Sequence, residues 1–125
     1  SLVTGLRLID ANSDRAIGSL TDGDTISLQR TGSALSIEAL VNSSSVGSVV
    51  FYLDGRLFCM NNADRCFENA PPYAMSGDQG GDYYNNWDWS RLSRGNHTVD
   101  VVTCSGANAT GDCREALTVT FTIAR

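Results

Sequence analysis

Lysine is absent from this chain, and all nine of its cations are arginines. Without an ammonium side chain it can supply neither a Schiff-base lysine nor a phosphate-loop lysine. Histidine occurs once, as His97. Nucleophilic catalysis needs a base beside a serine or cysteine, and His97 falls at a predicted strand start, where it reads as a structural residue. Proline occurs twice, at Pro71 and Pro72. No apolar run approaches the roughly 20 residues of a membrane-spanning helix. An excess of positive charge is also missing. Fourteen acids against nine arginines leave a net charge of -5, which argues against nucleic-acid binding through phosphate contacts.

What is present fits one domain, residues 1–125. A chain of this size can bury roughly 65–70% of its unfolded surface, so a sizeable core is within reach. Its four cysteines fall in two close pairs, Cys59/Cys66 and Cys104/Cys113. Three pairings are open in principle. The local one is expected because each pair brackets a turn-like segment, 61–64 and 105–108. Each closure would contribute roughly 2.5 kcal/mol in the chain-entropy model. Zinc would need closer cysteine spacing or histidine partners. Three N-x-S/T signals occur, at Asn42, Asn96 and Asn108. Beside paired cysteines they point to a secreted, extracellular or cell-surface glycoprotein carrying covalent glycans.

The chain reads as short alternating strands between turn signals. Val3–Ile9, Ala16–Gly18 and Thr25–Leu28 come first. Leu35–Val41 follows with Leu35, Ile37 and Ala39 inward. Val49–Leu53 is the strongest strand. Asp54-Gly55 then marks a type I′ hairpin turn, with Arg56–Met60 returning. His97–Cys104 and Ala116–Ile123 close the chain, the latter with Leu117, Val119, Phe121 and Ile123 inward. No segment holds a helical period over three turns. The expected fold is all-β: an immunoglobulin-like antiparallel β-sandwich of seven to eight strands with two local disulfides.

Several segments resemble a family of immunoglobulin-like modules from large extracellular proteins of bacteria and algae. They are Leu6-Arg7-Leu8-Ile9-Asp10-Ala11, Leu20-Thr21-Asp22-Gly23, and the run from Gly47 to Gly55. Glu68-Asn69, Pro72 to Asp78, Gly81-Asp82-Tyr83, Gly95 to Val99 and Leu117 to Thr122 complete the pattern. The resemblance implies a spacer, an adhesion unit or a companion of sugar-binding or hydrolytic domains, with no catalytic residue to carry over. The cysteine pairs and the glycosylation signals depart from the usual pattern and suggest a eukaryotic, secreted version.

The stretch from Glu68 to Trp89 holds both prolines, both tryptophans and three of the four tyrosines. Its aromatics, Tyr73, Tyr83, Tyr84, Trp87 and Trp89, are the candidate surface for assembly or for a ligand. They suit packing over a sheet edge, a protein contact, or stacking on sugar rings, with Asn85, Asn86 and Asp88 beside them. Asp78 and Asp82 read as turn caps beside glycines. With Glu68 they form a weak calcium set; the loop lacks the spacing of a helix–loop–helix calcium site. No cofactor is expected, and no enzyme activity.

The function expected is a structural module, a subunit or repeat of an extracellular filament or cell-surface assembly. Its partners would be copies of itself or neighbouring extracellular domains, met head to tail or by β-strand addition. Ser1–Ile9 is the candidate donor strand. The alternative is a carbohydrate-binding or spacer module of a larger extracellular protein.

Overall fold

The computed structural model describes residues 2–59, 66–85 and 87–125. In chain order its elements are β1 (Val3–Asp10), β2 (Arg15–Leu20), β3 (Thr25–Ser27), α1 (Leu28–Thr31), β4 (Leu35–Val41) and β5 (Ser48–Leu53). β6 (Arg56–Leu57), β7 (Tyr73–Ala74), β8 (Asp78–Gln79) and β9 (Asp82–Tyr83) follow. A 3-10 turn (Trp89–Arg91), β10 (Gly95–Gly106) and β11 (Thr110–Ala124) complete it. Seven of these strands are three residues or longer, and four two-residue pieces join them.

Two sheets face each other. The first runs in the order β2-β1-β4-β7 and the second in the order β3-β11-β10-β5-β6. All ladders between sheet neighbours are antiparallel except β3 with β11, which is parallel. This is the immunoglobulin-like β-sandwich that the alternation predicted. The inward residues form one core: Leu6, Leu8, Ile37, Val49, Phe51, Val99, Val101, Val119, Phe121 and Ile123 are all buried. In a strand the side chains alternate, so each strand offers one apolar face to the facing sheet.

The local turn chemistry is as the sequence required. Asp54 and Gly55 have φ of 52° and 81°, as a type I′ turn needs. Leu28 packs against the core as its position suggests, but it does not extend β3. It opens a single helical turn that Gly32 ends with φ of 76°. The return strand β6 reaches only Leu57; Met60 and the turn segment 61–64 lie outside the described residues. Both local disulfides form, Cys59–Cys66 and Cys104–Cys113. The second joins direct cross-strand partners of β10 and β11.

The first strand departs from its expected role. β1 lies between β2 and β4, paired with β4 from Val3 to Asp10 and with β2 from Leu6 to Asp10. Residues 6–9 could pair with a neighbour only by breaking two ladders, and residues 3–5 only by leaving β4; Ser1 lies outside the described residues. The reason is Val3, Leu6, Leu8 and Ile9, all buried. A strand with that much apolar surface is held in its own sheet.

Candidate functional site

The segment that looked most like a site crosses from the first sheet to the second. Its first part joins the edge of the first sheet and then folds over that sheet's outer face. Tyr73 and Ala74 add a short rung to β4 directly after Pro72, so the prolines delay pairing rather than prevent it. The Met75 N–H then donates to Ile37 O at 2.7 Å. β8 and β9 form a small hairpin, closed by Gly81 N–H donating to Asp78 Oδ2 at 2.8 Å.

That hairpin is keyed to the sheet by polar bonds. Glu38 points outward from β4, yet it is only 8% exposed. Its Oε1 accepts from Arg7 Nη2 at 2.8 Å and from the Tyr83 hydroxyl at 2.7 Å. Tyr83 N–H also donates to Asp14 Oδ1 at 2.8 Å, and Asn85 Nδ2 to Asn12 Oδ1 at 2.8 Å. Burial pushes the Tyr83 hydroxyl up to about 12, and its bond to the Glu38 carboxylate adds to the rise. The same carboxylate raises the Arg7 guanidinium, through its hydrogen bond first and its charge second. A carboxylate so placed is stable only because both neighbours donate to it.

The second part of the segment enters the core. Trp89 has no exposed surface and packs on Phe121, with ring centroids 5.9 Å apart. Trp87 is half-buried and stands edge-on to both Phe58 and Trp89, at 5.4 and 6.0 Å. Asp88 caps the short turn by accepting from Ser90 N–H at 2.9 Å. The aromatics therefore fill the end of the sandwich where the chain changes sheets.

Among the five expected contact residues, Tyr73 and Trp89 are core, while Tyr83 and Trp87 are half-buried. Tyr84 alone is exposed, at 39%. The expectation of a five-residue aromatic surface is thus corrected. Chains that cross between sheets must close the gap they open, and large rings do so by burying 150–250 Å² each. Asn85 and Asp88 are exposed; Asn86 lies outside the described residues. Asp78 caps its turn as expected, but Asp82 makes no such bond among the described residues.

The weak calcium set is not brought together. Glu68 bridges Val49 on β5 of the second sheet, whereas Asp78 and Asp82 belong to the hairpin on the first. Among the described residues no three His, Cys, Asp or Glu side chains converge on a metal position. His97 is 6% exposed and packs on Phe121. Its Nδ1 meets Asp54 Oδ2 at 2.7 Å and its Nε2 meets Ser93 O at 2.7 Å. Both partners are acceptors, so the two bonds are satisfied together when the ring carries both protons as an imidazolium. Burial lowers its pKa, but the Asp54 bond, the Ser93 carbonyl and the Asp54 charge outweigh it, and the net shift is upward.

Asn42, Asn96 and Asn108 are all exposed. Asn42 and Asn108 sit near one end of the sandwich, at the end of β4 and in the β10–β11 turn. Asn96 sits at the other, where β10 begins. The sequence did not reveal the Arg7–Glu38–Tyr83 cluster. Alternation marks Glu38 as outward, and nothing local says that a later segment will cover it.

The class defined by these observations is an immunoglobulin-like β-sandwich with two disulfides. No family model matches the chain, and no curated protein matches it. Among solved structures it is similar to the fibronectin(III)-like modules of CbhA from Clostridium thermocellum. The two are 16% identical over 84% of this chain and 94% of that one, with a TM-score of 0.46. That likeness concerns the fold and carries nothing about activity.

Proposed function

We propose that this chain is a secreted, N-glycosylated structural module, a subunit or repeat of an extracellular filament or cell-surface assembly. It meets its neighbours by β-strand addition. The observation that supports this most is the free edge of β2. Among the described residues that strand pairs only with β1, and Ile17 on it is 47% exposed. It has neither lysine nor proline, two of the residues that commonly blunt an edge. A groove of about 310 Å³ runs beside it, lined in part by Leu8, Ile17, Leu20 and Ile26. A neighbour's extended segment laid along β2 would bury Ile17 there.

A second edge lies on β11. Its partner β3 reaches only residues 122–124, so Thr110–Glu115 has no strand on its outer side among the described residues. Two different edges make a heterologous contact, which need not close and can therefore extend into a filament. The paired cysteines and exposed glycosylation signals support an extracellular setting. No helix of the described residues is long and apolar enough to cross a membrane. Burial of Trp89 and Tyr73 removes them from any sugar-stacking platform, which favours a structural role over a sugar-binding one.

The test uses protein secreted from a eukaryotic host, measured by sedimentation velocity and electron microscopy over a range of concentrations. Assembly should grow with concentration and be lost in Ile17→Lys, with the melting temperature unchanged. A glycosylated protein that stays monomeric at high concentration and shows no ordered contacts would sink the reading.

A further inference from the structure

The outer face of the second sheet carries an open apolar groove. It has a volume of about 200 Å³ and is lined by Val50, Tyr52, Leu57, Phe67, Val102 and Ala109, with cysteines of both disulfides at its border. Leu57 is 47% exposed. These side chains form a recess on the sheet that is open to water.

One rim of this groove is the turn that bears Asn108. Ala109 lines the groove itself. Asn69, two residues beyond Phe67, holds Asn108 by a double bond pattern: Asn69 Nδ2 donates to Asn108 Oδ1 at 2.9 Å, and the Asn108 N–H donates to Asn69 Oδ1 at 2.9 Å. The Ala109 N–H donates to Ser48 Oγ at 3.0 Å, which fixes the turn from its other side. Gly47 lies close behind, where a Cβ would come 2.6 Å from the Gly106 carbonyl carbon. The first of these bonds engages the carbonyl oxygen of the Asn108 side chain. Its amide nitrogen, the atom that carries an N-glycan, makes no hydrogen bond among the described residues.

We infer that Asn108 carries an N-linked glycan whose first N-acetylglucosamine lies over this groove. The apolar face of the sugar ring and its acetyl methyl group rest against Tyr52, Leu57 and Val102. The inference depends on the N-glycosylation proposed above. Attachment forms a bond from Asn108 Nδ2 to the sugar C1 and breaks the C1–O bond to the diphosphate of a lipid-linked oligosaccharide donor. The amide gives up one proton to a base of the transferase, and the lipid diphosphate departs. In the folded chain the Thr110 hydroxyl donates to Ala107 O at 2.6 Å. Recognition of the Asn108-Ala109-Thr110 signal therefore belongs to the unfolded chain.

The occupant follows from position. A sugar fixed at Asn108 is tethered at the groove's rim, and the Asn69 clasp limits the directions it can take. Tethering raises its effective concentration over the groove far above that of any free ligand.

The test starts from protein secreted by a glycosylating eukaryotic host and trimmed to single N-acetylglucosamine stubs with an endoglycosidase. Peptide mass spectrometry reads occupancy at Asn108. Nuclear Overhauser contacts from the acetyl methyl to the Tyr52 ring and the Leu57 and Val102 methyls read the position. Melting should occur about 3–6 °C above that of Thr110→Ala, which keeps Asn108 but removes the signal. The same pair made in a host without N-glycosylation corrects for the lost Thr110–Ala107 bond. Tyr52→Ser should abolish most of the difference, and Thr110→Ser should keep it. An occupied Asn108 with no contacts and no melting difference overturns the sugar's position and leaves the glycoprotein reading intact. An unoccupied Asn108 overturns this inference and removes one support of that reading.

Discussion

The two sheets share one core but treat their outer faces in opposite ways. The first sheet is covered by the chain itself: Tyr73–Ala74 extends it beside β4, and the hairpin that follows lies over β4 and β1, keyed by Glu38, Arg7 and Tyr83. As a result Leu35–Ala39 of β4 is buried on both faces. The second sheet has no such cover among the described residues, and Tyr52, Leu57 and Val102 line an open groove. A covered face can hold a buried carboxylate because donors arrive with the cover. An uncovered face brings no such donors, and it leaves Leu57 open to water. Outward residues on the two sheets therefore carry very different energetic weight.

The largest effect should come from the residue that joins the two regions. Trp89→Ala removes the ring that closes the core where the chain changes sheets, and should cost about 3–5 kcal/mol by denaturant unfolding. Both faces should be lost in one transition. If hydrogen exchange shows the second sheet intact while the first opens, the shared core is not what couples them.

Next is Glu38→Ala, which uncovers the first sheet alone. Arg7 and Tyr83 lose their acceptor, and the expected cost is about 2 kcal/mol, moderated by the exposure of Arg7. Proteolysis within residues 73–85 should rise. Tyr83 should titrate closer to the ordinary tyrosine range, down from about 12. A Tyr83 titration that does not move would show that burial alone sets it and that Glu38 is no key.

A smaller effect is expected from His97 at the Asp54 turn. Its folded pKa is raised, so the folded state binds the proton more tightly than the unfolded one. Its contribution is complete below about pH 6.5 and is lost as pH rises through the folded value. Asp54→Asn should flatten that slope in a series of unfolding curves, and a slope of the opposite sign would overturn the imidazolium assignment. The smallest effect belongs to the open face. In protein without glycans, Leu57→Ser or Tyr52→Ser should change stability by no more than about 0.5 kcal/mol. A loss near that of Glu38→Ala would mean that the groove is already part of the core.

Much of the fold was legible because it depends on neighbours in sequence. Leu35, Ile37 and Ala39 alternate and point inward, and Asp54-Gly55 turns with positive φ at both residues. The candidate site was less legible. Trp87 and Trp89 stand two residues apart in an irregular segment, and no period assigns them a side. One is half-buried and the other wholly buried. β1 has the look of a terminal edge strand, and only its pairing with both β2 and β4 shows that it is interior.

The strand periods, the hairpin turn, the local cysteine pairing and the absence of lysine chemistry follow from the order of the residues alone. Each of these is a property of residues a few positions apart, where backbone sterics and side-chain alternation act directly. Long-range packing sets the rest: Glu38 is covered, Trp89 is core, and the second sheet's outer face has no cover among the described residues. Those outcomes depend on where the segment 68–89 crosses. That path is fixed by contacts between residues far apart in sequence, such as Tyr83 with Glu38, Trp89 with Phe121 and Asn69 with Asn108.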